Sequence, residues 1–114
     1  MEQTERTTVA ERQAQLEDRL AVLETKLREI DAELDSHQSR DWEELATERE
    51  DDEVLESEGR AGLAEIAAIR AALGRIADGS YGQCVRCGDD IAEARLDLLP
   101  HTPLCADCAG ARRT

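Results

Sequence analysis

Leucine and isoleucine recur early in the chain at Leu16, Leu20, Leu23, Leu27, Ile30 and Leu34, at spacings of 4, 3, 4, 3 and 4. The residues between them are rich in Glu, Asp and Arg, so the pattern is a heptad seam on one helix face. Residues 9–36 contain no Gly and no Pro, and the seam predicts a long amphipathic helix from about residue 4 to 36. Ser36-His37-Gln38-Ser39 then breaks the pattern with polar residues that favour turns. A second helix is predicted from Trp42 to Asp78. Its seam is Leu45, Leu55, Ile66, Ile69, Leu73 and Ile76, with Gly59 and Gly62 at two core positions. Gly79 supplies a helix stop.

Two long helices joined by a short polar turn make an antiparallel hairpin. The expected fold class is mainly α. A long coiled-coil hairpin covers residues 1–78, with its tip near 37–46, and a small module follows over 79–114. Folding back near residue 39 sets Leu20 and Leu23 opposite Gly59 and Gly62, where small residues let the helices approach. An arm of roughly 34 residues is about 50 Å long at ~1.5 Å per residue. Each helix pairing with another chain is the alternative. The turn and matched helix lengths favour the intramolecular hairpin and hence a monomer.

Composition narrows the picture. The chain has 114 residues, no Phe, one Trp and one Tyr, so a sizeable core built from aliphatics is not expected. The formal net charge is −13 and Lys26 is the sole lysine. Phosphate binding needs clustered bases, so direct nucleic-acid binding is not expected. No uncharged stretch is long enough for a membrane span or a signal-peptide core. A cytoplasmic protein with reduced cysteines fits best. Residues 41–58 hold ten acids and one base, Arg49. Glu48 and Asp52 fall on the seam, which predicts loose packing there. This run reads either as a solvated face with acids near a helix N-terminus or as an acidic interaction arm.

All four cysteines lie in one pattern, Cys84-x2-Cys87, seventeen residues, then Cys105-x2-Cys108. Each pair puts two thiolates on a tight turn, and facing turns close one tetrahedral zinc shell. Gly88 gives the first turn room. A closed four-sulfur shell leaves no place for water, so the zinc is structural. It organises a module of little core, and metal binding supplies on the order of 10 kcal/mol to such modules. The rival reading is a redox switch, which this paired spacing disfavours. His101 stands near the second pair but is not needed as a ligand.

Asp41 and Glu44 are three apart at the start of the second helix, followed by Ala46. Asp41 can cap the helix with Glu44 as the acid of a capping-box variant. Alternatively, both carboxylates and Trp42 are presented from the tip of a rigid arm. The two roles are compatible. The chain has no nucleophile–base pair, phosphate-cradling loop or HExxH-type site, and nothing marks an enzyme.

The hairpin with Asp41-x-x-Glu44-x-Ala46 at its tip, then Tyr81-Gly82-x-Cys84-x2-Cys87-Gly88 and Cys105-x2-Cys108, resembles the DksA/TraR zinc-finger family. The likeness covers nearly the whole chain. The seventeen-residue gap and the spacing of 40 from Glu44 to Cys84 make it specific. It implies a transcription regulator that binds RNA polymerase, with the coiled coil in the secondary channel and the acidic tip near the active centre. It also implies Asp41, Glu44 and Ala46 as tip residues, and Cys84, Cys87, Cys105 and Cys108 as ligands of one zinc. The second tip acid is usually Asp in the family; Glu44 is one methylene longer. The family's bases for the alarmone ppGpp align with Ala68, Leu99 and Ala109. An alarmone needs bases, so ppGpp is not expected at the equivalent site.

Two other functions compete. A transcript-cleavage factor would use tip carboxylates to hold a magnesium at the polymerase active site, although such factors have different zinc spacing. An acidic adaptor or decoy would use the arm to mimic nucleic acid, with zinc merely closing the coil's base.

Overall fold

The computed structural model describes residues 7–36 and 42–111, with side chains for 7–36 and 52–110. The helices are α1 (Val9–Ser36), α2 (Trp42–Asp78), α3 (Glu93–Leu98) and α4 (Ala106–Ala111). α1 and α2 form a helical hairpin, followed by a four-cysteine cluster. Among the described residues the only strand-like pairing is an isolated bridge between Gln83 and Asp90.

α1 starts at Val9 rather than near residue 4, and a capping box explains why. Thr8 is the N-cap. Its hydroxyl accepts the Glu11 N–H at 3.1 Å, and its own N–H donates to Glu11 Oε1 at 2.8 Å. Two amides that the helix leaves unpaired are thereby satisfied. α2 spans Trp42–Asp78 as the sequence predicts. It ends in a Schellman motif: the Gly79 N–H donates to Ile76 O at 3.3 Å and the Ser80 N–H to Arg75 O at 2.9 Å. Gly79 has φ +84°, which glycine adopts without strain.

The chain packs into two compact units. One is Arg19–Ala67; the other joins residues up to Asp18 with those from Ala68 onward. In the first, Leu23, Ile30 and Ile66 are buried, while Leu20, Leu27, Leu34 and Leu55 are half-buried. Arg19 forks onto Glu65, Nε to Oε2 at 2.8 Å and Nη2 to Oε1 at 3.0 Å. Asp52 is half-buried on the predicted seam, whereas the side chains of Leu45 and Glu48 lie outside the described ones.

The register differs from symmetric folding about residue 39. Leu27, not Leu20 or Leu23, faces the two glycines: a Cβ on Gly62 would stand 3.3 Å from Leu27 Cδ2, and one on Gly59 4.0 Å from it. Leu27 lies nine residues before the end of α1 (36 − 27), whereas Gly59 lies seventeen after the start of α2 (59 − 42). Symmetric folding assumed matched limbs, but α1 has 28 residues and α2 has 37.

In the other unit Leu16, Ile69 and Ala72 are buried together with Arg12. The sequence pattern missed Ala72 and Arg12. Arg12 lies four residues before Leu16, in phase with the seam, and its Nη2 donates to Glu93 Oε1 at 2.8 Å and Asp97 Oδ1 at 2.9 Å on α3. Burial opposes its charge, but the hydrogen bonds to Glu93 and Asp97 outweigh that and hold its pKa above the ordinary value. A small core of Cys84, Ile91, Leu96 and Leu104 completes the unit, with Tyr81, Cys105, Cys108 and Ala109 half-buried against it.

Candidate metal centre

The Schellman turn delivers the chain from α2 into the first cysteine pair. The Ser80 N–H and hydroxyl donate to Asp78 Oδ1 at 3.0 and 2.6 Å. Those bonds hold the Asp78 carboxyl below the usual carboxylate range. The Ile91 N–H then donates to Gly82 O at 2.7 Å, which closes the arms of the turn around Cys84 and Cys87. Inside it, the Cys84 N–H meets Asp89 O at 2.8 Å and the Gly88 N–H meets Cys84 O at 2.9 Å. Gly88 adopts φ +83°, the turn that its position predicts.

The second pair sits where the chain enters α4. The Ala109 N–H donates to Cys105 O at 2.9 Å, and the Cys108 N–H lies 3.5 Å from Cys105 Sγ. The Val85 N–H donates to Pro103 O at 2.9 Å, so the backbone itself ties the two turns together.

This places all four sulfurs within 4.8 Å of one another. Cys87 Sγ and Cys105 Sγ are 3.8 Å apart. Four sulfurs at about 2.3 Å from a tetrahedral zinc stand about 3.8 Å apart along each edge, so the donor set fits. Cys84 is buried and Cys87 exposed, with Cys105 and Cys108 between. His101 is half-buried and is not among the clustered donors.

The thiols are electrostatically unequal. The Cys105 amide, aided by those of Cys87 and Arg86 and opposed by burial, lowers the Cys84 pKa to about 6. Cys108 is pushed up to about 12, chiefly because it donates to Cys84, with burial adding to the effect. Without a metal the cluster favours a first thiolate and strongly resists losing its last proton. A dication replaces those protons, so metal binding expels them.

Of the predicted tip residues, Asp41 lies outside the described residues. Glu44 and Ala46 lie in the first two turns of α2, with side chains outside the described ones. Val22, Val54 and Leu63 are exposed apolar side chains on the long helices. Among the described residues, no helix is long and apolar enough to cross a membrane.

Residues 12–76 match the DnaK suppressor protein-like N-terminal domain, and residues 79–113 match the prokaryotic dksA/traR C4-type zinc finger. The chain belongs to the DksA/TraR family. A protein of Aquifex aeolicus (strain VF5) is 34% identical over 102 residues, 86% of this chain and 70% of that one. The structure of transcription factor DksA2 from Pseudomonas aeruginosa superposes with a TM-score of 0.80 at 25% identity, over 90% of this chain and 80% of that chain. The solution structure of DnaK suppressor protein from Agrobacterium tumefaciens C58 gives 0.65 at 40% identity, over 97% and 99%. With the C4 zinc finger and the clustered sulfurs, one structural zinc is the cofactor of this DksA/TraR chain.

The sequence pattern pointed to the sulfurs but not to what holds them. Arg95 Nε donates to Leu104 O at 2.9 Å, and Tyr81 Oη donates to Pro100 O at 2.9 Å. Burial raises the Tyr81 pKa above its ordinary value. Tyr81 was visible as part of the family motif. Arg95 carries no local signal, because its partner is a backbone carbonyl nine positions away.

Proposed function

We propose that this chain is a DksA-like transcription regulator that binds RNA polymerase through its secondary channel. The carrying observation is that both parts of the family's architecture occur in order on one chain, the N-terminal domain over 12–76 and the zinc finger over 79–113. The likeness to the transcription factor DksA2 from Pseudomonas aeruginosa supports the same reading. Residues 1–78 act as the arm and residues 79–114 as its base. Cys84, Cys87, Cys105 and Cys108 hold the zinc. Asp41, Glu44 and Ala46 act at the tip, near the polymerase active centre. The protein works as a cytoplasmic monomer without a catalytic step of its own and does not bind nucleic acid directly.

Competition with a known secondary-channel protein for purified polymerase tests the reading. Displacement of that protein is the expected result, and failure to bind polymerase at all refutes the proposal. A cleavage assay on backtracked complexes separates it from a transcript-cleavage factor, with no stimulated cleavage expected.

A further inference from the structure

The second cysteine pair is reached through residues 99–104, a stretch without helix or strand. Its backbone is nevertheless pinned from several sides. Tyr81 Oη reaches Pro100 O at 2.9 Å, Arg75 Nη2 reaches His101 O at 3.4 Å, and the Val85 N–H reaches Pro103 O at 2.9 Å. The last carbonyl before the ligand, Leu104 O, takes Arg95 Nε at 2.9 Å. Arg95 Nη2 also lies 3.4 Å from the hydroxyl of buried Thr102. That hydroxyl donates to Leu104 O at 3.2 Å and accepts the Leu104 N–H at 3.3 Å.

Leu104 O and the Cys105 N–H belong to one planar peptide unit, and in a trans peptide they point in opposite directions. One rigid plane thus has Arg95 at its carbonyl end and the Cys105 Cα at its corner. A guanidinium suits this place because its fixed fork serves two acceptors, Leu104 O and Thr102 Oγ1.

We propose that Arg95 is a positioning residue for the zinc centre, fixing the Leu104–Cys105 peptide plane so that Cys105 is held in its ligand place. The proposal rests on the four-cysteine donor set and is independent of polymerase binding. Residues that orient metal ligands typically change affinity by about 10–100-fold when altered.

The test uses the full chain and its Arg95→Met, Arg95→Lys and Arg12→Met variants. Arg12 serves as the control because it is buried in the same unit and bonds Glu93 and Asp97 on α3, the helix that carries Arg95, rather than the Leu104–Cys105 peptide. Zinc affinity is measured by competition with a chromophoric chelator. Absorption of the cobalt(II)-substituted protein reports sulfur geometry, and circular dichroism reports helix content. Arg95→Met should weaken zinc about 10–100-fold and shift the cobalt bands while keeping the helix content. Arg95→Lys, with one donor group in place of the fork, should fall between Arg95→Met and the parent. Arg12→Met should keep the parent bands and lose at most about fivefold in affinity, because its modest stability cost passes to zinc binding through coupled folding.

Parent-like affinity and spectrum in Arg95→Met would overturn the proposal. So would equal weakening in Arg12→Met, which makes Arg95 a general stabiliser. If Arg95→Met does not fold, Arg95→Lys decides: a shifted spectrum with weaker zinc supports the role, and parent behaviour overturns it. Fewer than one zinc per unaltered chain would remove the donor set itself, and the proposal with it.

Discussion

Arg12 has 3% of its side chain exposed, whereas its partners Glu93 and Asp97 have 43% and 58%. That asymmetry decides what each deletion costs. Removing the arginine leaves two acids that solvent can rehydrate. Arg12→Met keeps much of the apolar stem, so it should cost only about 1 kcal/mol, because isosteric replacement of a buried charge is often mild. Removing both acids instead strands a buried guanidinium, and Glu93→Ala with Asp97→Ala should cost about 3–5 kcal/mol. Urea denaturation of the zinc-loaded protein measures both. A larger loss for Arg12→Met than for the double variant would contradict the argument. The residue also marks a limit of sequence reading. Its phase with Leu16 is visible in the heptads, but a charge on a seam looks like a defect until its partners are known. Those partners lie 81 and 85 positions away, and no local pattern links them.

Helix starts, stops and close approaches belong to the element scale. At the start of α1, the Thr8 amide, followed by the Thr8 hydroxyl, holds the Glu11 carboxyl below its ordinary value. The folded pKa is therefore below the unfolded one. Its stabilisation is present above the unfolded value, about 4.5, and is lost as pH falls through the lowered folded value. The first turn of α1 should fray in acid, and Glu11→Gln should remove that pH dependence, as amide exchange at Glu11 and Arg12 would show. Thr8→Ala should cost about 1 kcal/mol. On α2, an added Cβ at Gly74 meets nothing within 4 Å, whereas at Gly62 it meets Leu27 Cδ2 at 3.3 Å. Gly74→Ala should therefore stabilise the protein by about 0.5–1 kcal/mol. Gly62→Ala should gain less, because Leu27 must shift by a few tenths of an ångström. Denaturation midpoints compare the two. Both long helices and the Gly79 stop were legible because heptads and helix caps are local. The register was not, since it depends on how residues divide between the limbs. The Thr8–Glu11 box was in plain sight as Thr-x-x-Glu, but the amphipathic pattern drew the predicted start past it.

At the scale of the whole molecule, the metal is the first lever. The buried core beside α3 is small, and Cys84 belongs to it, so zinc ligation and packing there are one structure. Removing zinc with a chelator, or substituting Cys84→Ser, should unfold the unit built from residues up to Asp18 and from Ala68 onward. Metal binding is worth on the order of 10 kcal/mol in small zinc modules. Loss of cooperative melting in that unit, followed by amide exchange, is the check. The four-cysteine spacing made this centre legible from sequence. The tip rests on sequence alone, because Asp41 lies outside the described residues and the side chains of Glu44 and Ala46 lie outside the described ones. That difference shapes the last prediction. On the polymerase reading, binding and effect are carried by different residues. Asp41→Asn removes one charge without removing the arm, so it should keep polymerase affinity within about twofold and lose its effect on promoter-complex lifetime. Glu44→Asp restores the shorter acid usual in the family and should keep or increase that effect. Adding ppGpp should change neither affinity nor effect at the equivalent site, because Ala68, Leu99 and Ala109 offer a polyanion no base. Promoter-complex decay, measured with and without ppGpp, reads all three. Full activity of Asp41→Asn would remove the tip role while leaving channel binding intact. An alarmone response would require bases elsewhere on the chain or on the polymerase.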